Sequence, residues 1–381
     1  MIRFELCKLW RNRLLLGFLA AFILLNIVRI AQLSKMYQVN PQFNEARAIL
    51  YEQVRGTWNL DTLHYVIKTQ RALEEQVMQG DYPTEPNQPG TYSGYVFGDF
   101  SLFTELYTEM DYMYHYEENN EKLLSDLRAN ADFYKSHGNR KDAEKNEKAI
   151  SVFRGRRINA YYRTEKAVQW INYSLSSLLI LISVLLCVSP CFSIEYETKM
   201  NTVLLTAKHS RMKIPLAKLA SALISALAIF LLFSFADCIC FLVGFPIDCL
   251  QNPIYSVVAF QNTPFSCSIA AYLSFLYACR VISVLLFTVL VLFFSSLTKS
   301  EMGAAVCSSI ILLSAMIVGG KWNPVSLLTM HSYTEEYQSV SLMGYSVLLP
   351  VVMLLVGTVE LFAAITATLL LYRKRVQHGQ K

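Results

Sequence analysis

Six apolar runs, at residues 14–33, 167–188, 216–243, 270–297, 302–319 and 345–372, set the terms on which this chain can fold. A helix rises about 1.5 Å per residue and the hydrocarbon core of a bilayer is about 30 Å thick, so about twenty apolar residues make one crossing. Hydrocarbon offers no water to satisfy a peptide group, and single runs of this length therefore become helices. The chain as a whole is 54% hydrophobic and only 17% charged, a composition that excludes an ordinary soluble domain. The net charge of +5 does not point to nucleic acid, because the basic residues gather beside the apolar runs, where Lys and Arg set membrane topology.

The first run follows a stretch with four basic residues, is long, and reaches Arg29 and Gln32 without a small-residue cleavage pattern. It reads as a retained first span and not as a signal peptide. Six spans place both termini on one side. Basic residues mark that side as cytoplasmic: four at the N-terminus, five in 193–218, one in the tight turn 298–301 and four in the tail, against Lys321 alone in the two later external loops.

Between the first two spans lies one long polar segment, 34–166, with 17 Lys and Arg against 20 Asp and Glu. So even a balance gives no long-range pull on a partner of either sign. The segment holds no cysteine, so packing alone makes its fold. Asn59 can cap a helix carrying Leu60, Leu63, Ile67 and Val77 and ending at Gly80. A breaker-rich linker with Pro83, Pro86 and Pro89 follows. Asp99 opens a second helical stretch through Phe103, Leu106, Met110 and Met113, whose spacing resumes at Leu124 and Leu127. Gly138 and Asn139 then stop one helix and cap the next. Tyr107, Tyr112, Tyr114 and Tyr116 suit either packing at a domain or membrane surface or a ligand platform. Cys249 and Cys267 flank an external loop and either pair or remain two free thiols.

The expected fold is an all-α integral membrane protein: six transmembrane helices with a large, mostly helical extracellular insertion between the first and second. Its parts are 1–33 (cytoplasmic N-terminus and first span), 34–166 (extracellular helical domain) and 167–381 (spans two to six, with a cytoplasmic loop and basic tail).

Several chemistries have no motif here. The chain lacks a phosphate-cradling G-x-x-x-x-G-K-[ST], a zinc-spaced H-E-x-x-H or C-x-x-C, and a G-x-S-x-G elbow. Its six histidines are scattered, which argues against a metal or histidine site. Charges inside the spans are the remaining candidates, since a charge at mid-bilayer costs roughly 2.5–3.5 kcal/mol. Asp237 and Arg280 fall at similar depths in the third and fourth spans, where they either form a structural ion pair, the preferred expectation, or serve a substrate path. Glu360, near the middle of the sixth, would line a polar interior or bond a neighbouring helix.

The segment 193–218 is the longest cytoplasmic surface between spans. It starts with Glu195 and Glu197, continues through 202–206 (TVLLT), Ser210 and Arg211, and ends at Lys218. On these residues the chain resembles the permease subunits of ABC-2 type (type-two ABC) exporters, with Thr198, Lys199 and Met200 where many members have a glycine. The resemblance implies a coupling surface for a separate cytoplasmic ATPase, formed by Glu195, Glu197, Lys199, Val203, Leu204, Leu205 and Arg211. It further implies that ATP and Mg²⁺ bind the partner ATPase, that this chain binds no cofactor and is no enzyme, and that a second permease subunit completes the transporter. Export of a peptide, antibiotic or lipid-like substrate would be the activity. The rival expectation is a membrane sensor or immunity protein whose external domain captures a peptide.

Overall fold

The computed structural model describes residues 1–36, 41–80, 90–198, 200, 213–245, 247–298, 300–318, 320–323, 325–342 and 345–378, the side chains of 315, 318 and 374–378 excepted. A short helix α1 (Ile2–Trp10) precedes α2 (Arg13–Met36). The polar segment then builds α3 (Pro41–Val54), β1 (Gly56–Thr57), α4 (Leu60–Gln79), α5 (Val96–Tyr114), α6 (Tyr116–Ser136), α7 (Arg140–Phe153) and β2 (Ala160–Tyr161).

Local chemistry fixes these boundaries. The Asn59 side chain accepts a hydrogen bond from Asp61 N, and Gly80 ends α4 at φ 71°, a left-handed conformation that costs glycine nothing. Asn139 caps α7 in the same way by accepting from Asp142 N. The start of α5 differs from expectation: the helix begins at Val96, not Asp99. Asp99 is buried inside the first turn, and its carboxylate reaches back to accept from Tyr92 N, Ser93 N and Ser93 Oγ at 2.7–2.8 Å. The polar domain has its own core around Leu50, Val66, Leu102, Phe103, Met110 and Met113. Antiparallel pairing of Gly56 with Tyr161 draws its two ends together.

After β2 the chain runs through three consecutive helices, α8 (Glu165–Asn172), α9 (Leu175–Val188) and α10 (Pro190–Glu197). They are followed by α11 (Lys213–Gly244), α12 (Ile269–Leu297), α13 (Glu301–Val318), a hairpin of β3 (Ser339–Leu342) with β4 (Tyr345–Leu348), and α14 (Leu349–His378). Five of these stretches are long and apolar enough to cross a membrane: Arg13–Met36, Glu165–Glu197, Lys213–Gly244, Ile269–Leu297 and Leu349–Arg373. The expected fifth crossing, 302–319, corresponds to α13, 18 residues long, which is not one of these five among the described residues. Protein buries 72% of the most apolar window of Glu165–Glu197 and 61% of that of Ile269–Leu297, against 22–33% for the other three, so these two helices form the centre of the bundle.

The polar domain is seated on the loop between α11 and α12. Tyr116 stacks on Tyr255 with ring centroids 5.0 Å apart, Tyr112 Oη donates to Tyr255 O, and the buried Arg156 donates to Thr263 O. Tyrosines 112 and 116 thus serve packing between domain and loop. In the same loop Cys249 and Cys267 are both free thiols. At the opposite end of the bundle, Lys8 of α1 meets Glu195 and Tyr372 of α14 packs against Phe192, which brings both ends of the chain together there.

Candidate functional site

The end of the bundle that carries both chain ends is organised by Lys218. It lies about one and a half turns into the apolar helix α11 and is fully buried. A buried ammonium is tolerable only when paired and hydrogen-bonded. Glu195 Oε1 sits 2.6 Å from Lys218 Nζ, Glu5 Oε2 lies 3.8 Å away, and Cys191 O accepts a further hydrogen bond. The Phe192 ring lies 5.0 Å from the same nitrogen, close enough for a cation–π contact. Glu195 also reaches Lys8 Nζ at 3.3 Å. Helices α1, α10 and α11 are therefore joined by one charge cluster, and Trp10 Nε1 reinforces the link by donating to Ser225 Oγ.

A break between α9 and α10 positions Glu195. Pro190 has no amide hydrogen, so the ladder is interrupted there. Ser295 of α12 repairs it: its Oγ accepts from Phe192 N at 3.0 Å and Ser193 N at 3.3 Å while donating to Ser189 O at 2.6 Å. A side chain from a neighbouring helix thus satisfies the freed backbone groups, as a break in an apolar span requires.

Glu197, two residues on, is exposed and accepts from Glu301 N at 2.7 Å. Its carboxylate thereby caps the N-terminus of α13, where a negative charge is favoured by the unsatisfied amides. Of the seven residues expected to form the coupling surface, Glu195 and Glu197 are placed in this way. Lys199, Val203, Leu204, Leu205 and Arg211 lie outside the described residues. Glu195 is turned inward to Lys218 and is buried.

A second polar centre sits at the other end of the spans. Asp237 Oδ1 accepts from Asn26 Nδ2 at 2.6 Å, and Asn26 Oδ1 accepts from Tyr173 Oη at 2.7 Å. Arg280 donates to Tyr173 O at 3.1 Å and to Ile171 O at 3.5 Å. Asp237 and Arg280 were expected to pair with each other, but among the described residues they form no ion pair. The gap between α8 and α9 exposes two carbonyls that suit the guanidinium fork, and Asn26 supplies the donor that Asp237 needs. Tyr173 connects the two halves. Glu360 is half-exposed on α14, and the nearby Lys321 donates to Gln338 Oε1, so Glu360 acquires no ion pair among the described residues.

Near Arg280, on the loop before β3, His331 is held neutral: burial and the neighbouring guanidinium push its pKa down from 6.5 to about 4. Glu5, Lys8, Asn26 and Tyr173 were not anticipated from sequence. The placement of Lys218 within an apolar run, and the spacing of Glu5 and Lys8 one turn apart on an amphipathic helix, are the signals that could have indicated the first cluster. Among the described residues no group of three or more His, Cys, Asp and Glu side chains is arranged to hold a metal ion. Compared with protein-family models, curated proteins and solved structures, the chain matches none of them.

Proposed function

We propose that this chain is the membrane-spanning subunit of an ATP-driven exporter of the ABC-2 type. On this reading α13 is the fifth of six crossings and α14 the sixth, both termini are cytoplasmic, and the polar domain faces outward. A separate cytoplasmic ATPase binds ATP and Mg²⁺, and a second copy or a similar subunit completes the pore. A peptide, antibiotic or lipid-like compound is the cargo.

The observation that carries the proposal is the anchoring of the segment entering 198–212. Glu195 fastens its start to α1 and α11, Glu197 fastens it to α13, and Phe192 packs against Tyr372 of α14. Force applied to the segment by an ATPase would thus reach four helices at once, which a two-state transport cycle needs. The rival sensor reading needs a peptide-capturing surface on the polar domain, and Tyr112 and Tyr116 are engaged with the loop beneath.

Co-purification tests the proposal. The full chain expressed with its genomic neighbours should bring down an ATPase in equal amount, and Glu197→Lys with Arg211→Glu should reduce that recovery and the export it drives. Recovery of no ATPase, or of one indifferent to both changes, refutes it.

A further inference from the structure

Two cavities adjoin where the polar domain meets the membrane end of α8. One has a volume of about 510 Å³ and the other about 640 Å³, and Glu165 and Gln169 line both. These are volumes typical of small-ligand sites. The smaller cavity is charged. Its guanidinium groups are matched: Arg47 and Arg163 lie against Glu105 and Glu165, and Arg55 against Glu52 and Asp248. Lys166 lines the same cavity and has no carboxylate partner among the described residues. Two polar atoms of its lining residues are buried without a hydrogen bond: Arg47 Nε, a donor, and Gln169 Oε1, an acceptor.

The larger cavity has a different character. Leu33, Val168, Leu175, Val257 and Val258 form an apolar side opposite a polar one that includes Glu109, Glu165 and Asn172, and Leu33 and Leu175 belong to stretches apolar enough to cross a membrane. Arg29 stands at its edge, exposed and without an ion-pair partner among the described residues. It lies about two turns from the end of α2, where a long basic side chain reaches the level of lipid headgroups. A charged chamber with one unpaired ammonium therefore opens beside a partly apolar one with one unpaired guanidinium.

We infer that the two cavities together bind an anionic phospholipid. The phosphate sits in the charged cavity against Lys166, and an acyl chain lies along Val168, Leu175 and Val258. An unpaired donor set calls for phosphate oxygens, and the orphaned Gln169 acceptor matches a headgroup hydroxyl such as that of phosphatidylglycerol. The apolar lining distinguishes this ligand from a free anion. The inference rests on membrane embedding and holds whether or not the chain is an exporter.

Native mass spectrometry of the delipidated full-length protein tests it, with phosphatidylglycerol, phosphatidylcholine and inorganic phosphate as probes. Phosphatidylglycerol should be retained over phosphatidylcholine, and Lys166→Gln and Arg29→Gln should each weaken its binding about fivefold, the effect expected of one basic residue at an anionic surface. Val258 is exposed, so Val258→Trp can fill the apolar cavity without disturbing the core and should weaken both lipids. Lys141→Gln, at an exposed site on α7, should change nothing. Because Lys166 pairs with no carboxylate, its replacement leaves no acid orphaned. Wild-type retention of phosphatidylglycerol by Lys166→Gln, or equal retention of the two lipids, overturns the inference. Displacement of the lipid by millimolar phosphate overturns it as well and marks a free-anion site.

Discussion

Replacing Glu195 by alanine should be among the most damaging single changes in the bundle, and the cost can be worked from the geometry. Lys218 is fully buried and its Nζ lies 2.6 Å from Glu195 Oε1. With an effective dielectric of about 20, unit charges at that separation attract by roughly 6 kcal/mol. Desolvation of the pair offsets several kcal/mol of this, and removing the acid alone recovers its own share but leaves that of the buried ammonium. Glu5 remains at 3.8 Å and Cys191 O still accepts, so the ammonium is not wholly stranded. The expected loss is about 3–5 kcal/mol, the range for breaking a buried pair. Lys8 is 32% exposed and lies at 3.3 Å, so Lys8→Ala should cost at most about 1 kcal/mol. Lys218→Met should cost less than Glu195→Ala, because Glu195 keeps Lys8 and the methionine stem fills the same space. Equilibrium unfolding in mixed micelles, followed by circular dichroism, measures all four terms of the Glu195/Lys218 cycle. The reasoning fails if Glu195→Ala lies within about 1 kcal/mol of wild type, or if the double variant loses the sum of the two single losses.

Asp99→Ala should destabilise the polar domain by about 2–3 kcal/mol, because it leaves the amides of Tyr92 and Ser93 unpaired in a buried site; hydrogen exchange at those two amides should rise with it. Asn59→Ala should cost about 1 kcal/mol, read from thermal unfolding and earlier proteolysis near the start of α4. Asn26→Ala should destabilise more than Tyr173→Phe, since the first removes partners from both Asp237 and Tyr173 and the second leaves the Asn26–Asp237 bond in place. His331 gives a pH signature. Its folded pKa, about 4, is below the unfolded 6.5, so its contribution is complete above pH 6.5 and is lost as pH falls from there toward 4. His331→Asn should flatten that part of the stability–pH curve.

What could be seen in the sequence, and what could not, divides by the distance along the chain over which each feature is decided. Asn59 and Gly80 bound α4, and Gly138 and Asn139 separate α6 from α7, because caps and left-handed glycines act on neighbouring amides. The apolar runs were legible for a similar reason: solvation of a helix in hydrocarbon depends on its own composition. Asp99 was displaced into its helix because its carboxylate serves a loop six and seven residues behind it, still a local effect but one with no periodic signature. The pairings of charges within the bundle were decided elsewhere. Similar depth suggested that Asp237 would meet Arg280, yet depth says nothing about azimuth. Asn26, 211 residues away, and the carbonyls freed between α8 and α9 satisfy them separately. Glu195 was legible as an acid at a membrane boundary. Its inward turn depends on Lys218 being buried, which in turn depends on α1 lying across the end of α11 with Glu5 and Lys8 at hand. A charge beside an apolar run therefore has two physically distinct fates, facing water or closing a helix junction. The difference lies in whether a second chain segment supplies both an opposite charge and a dry surface, which here the N-terminal helix does.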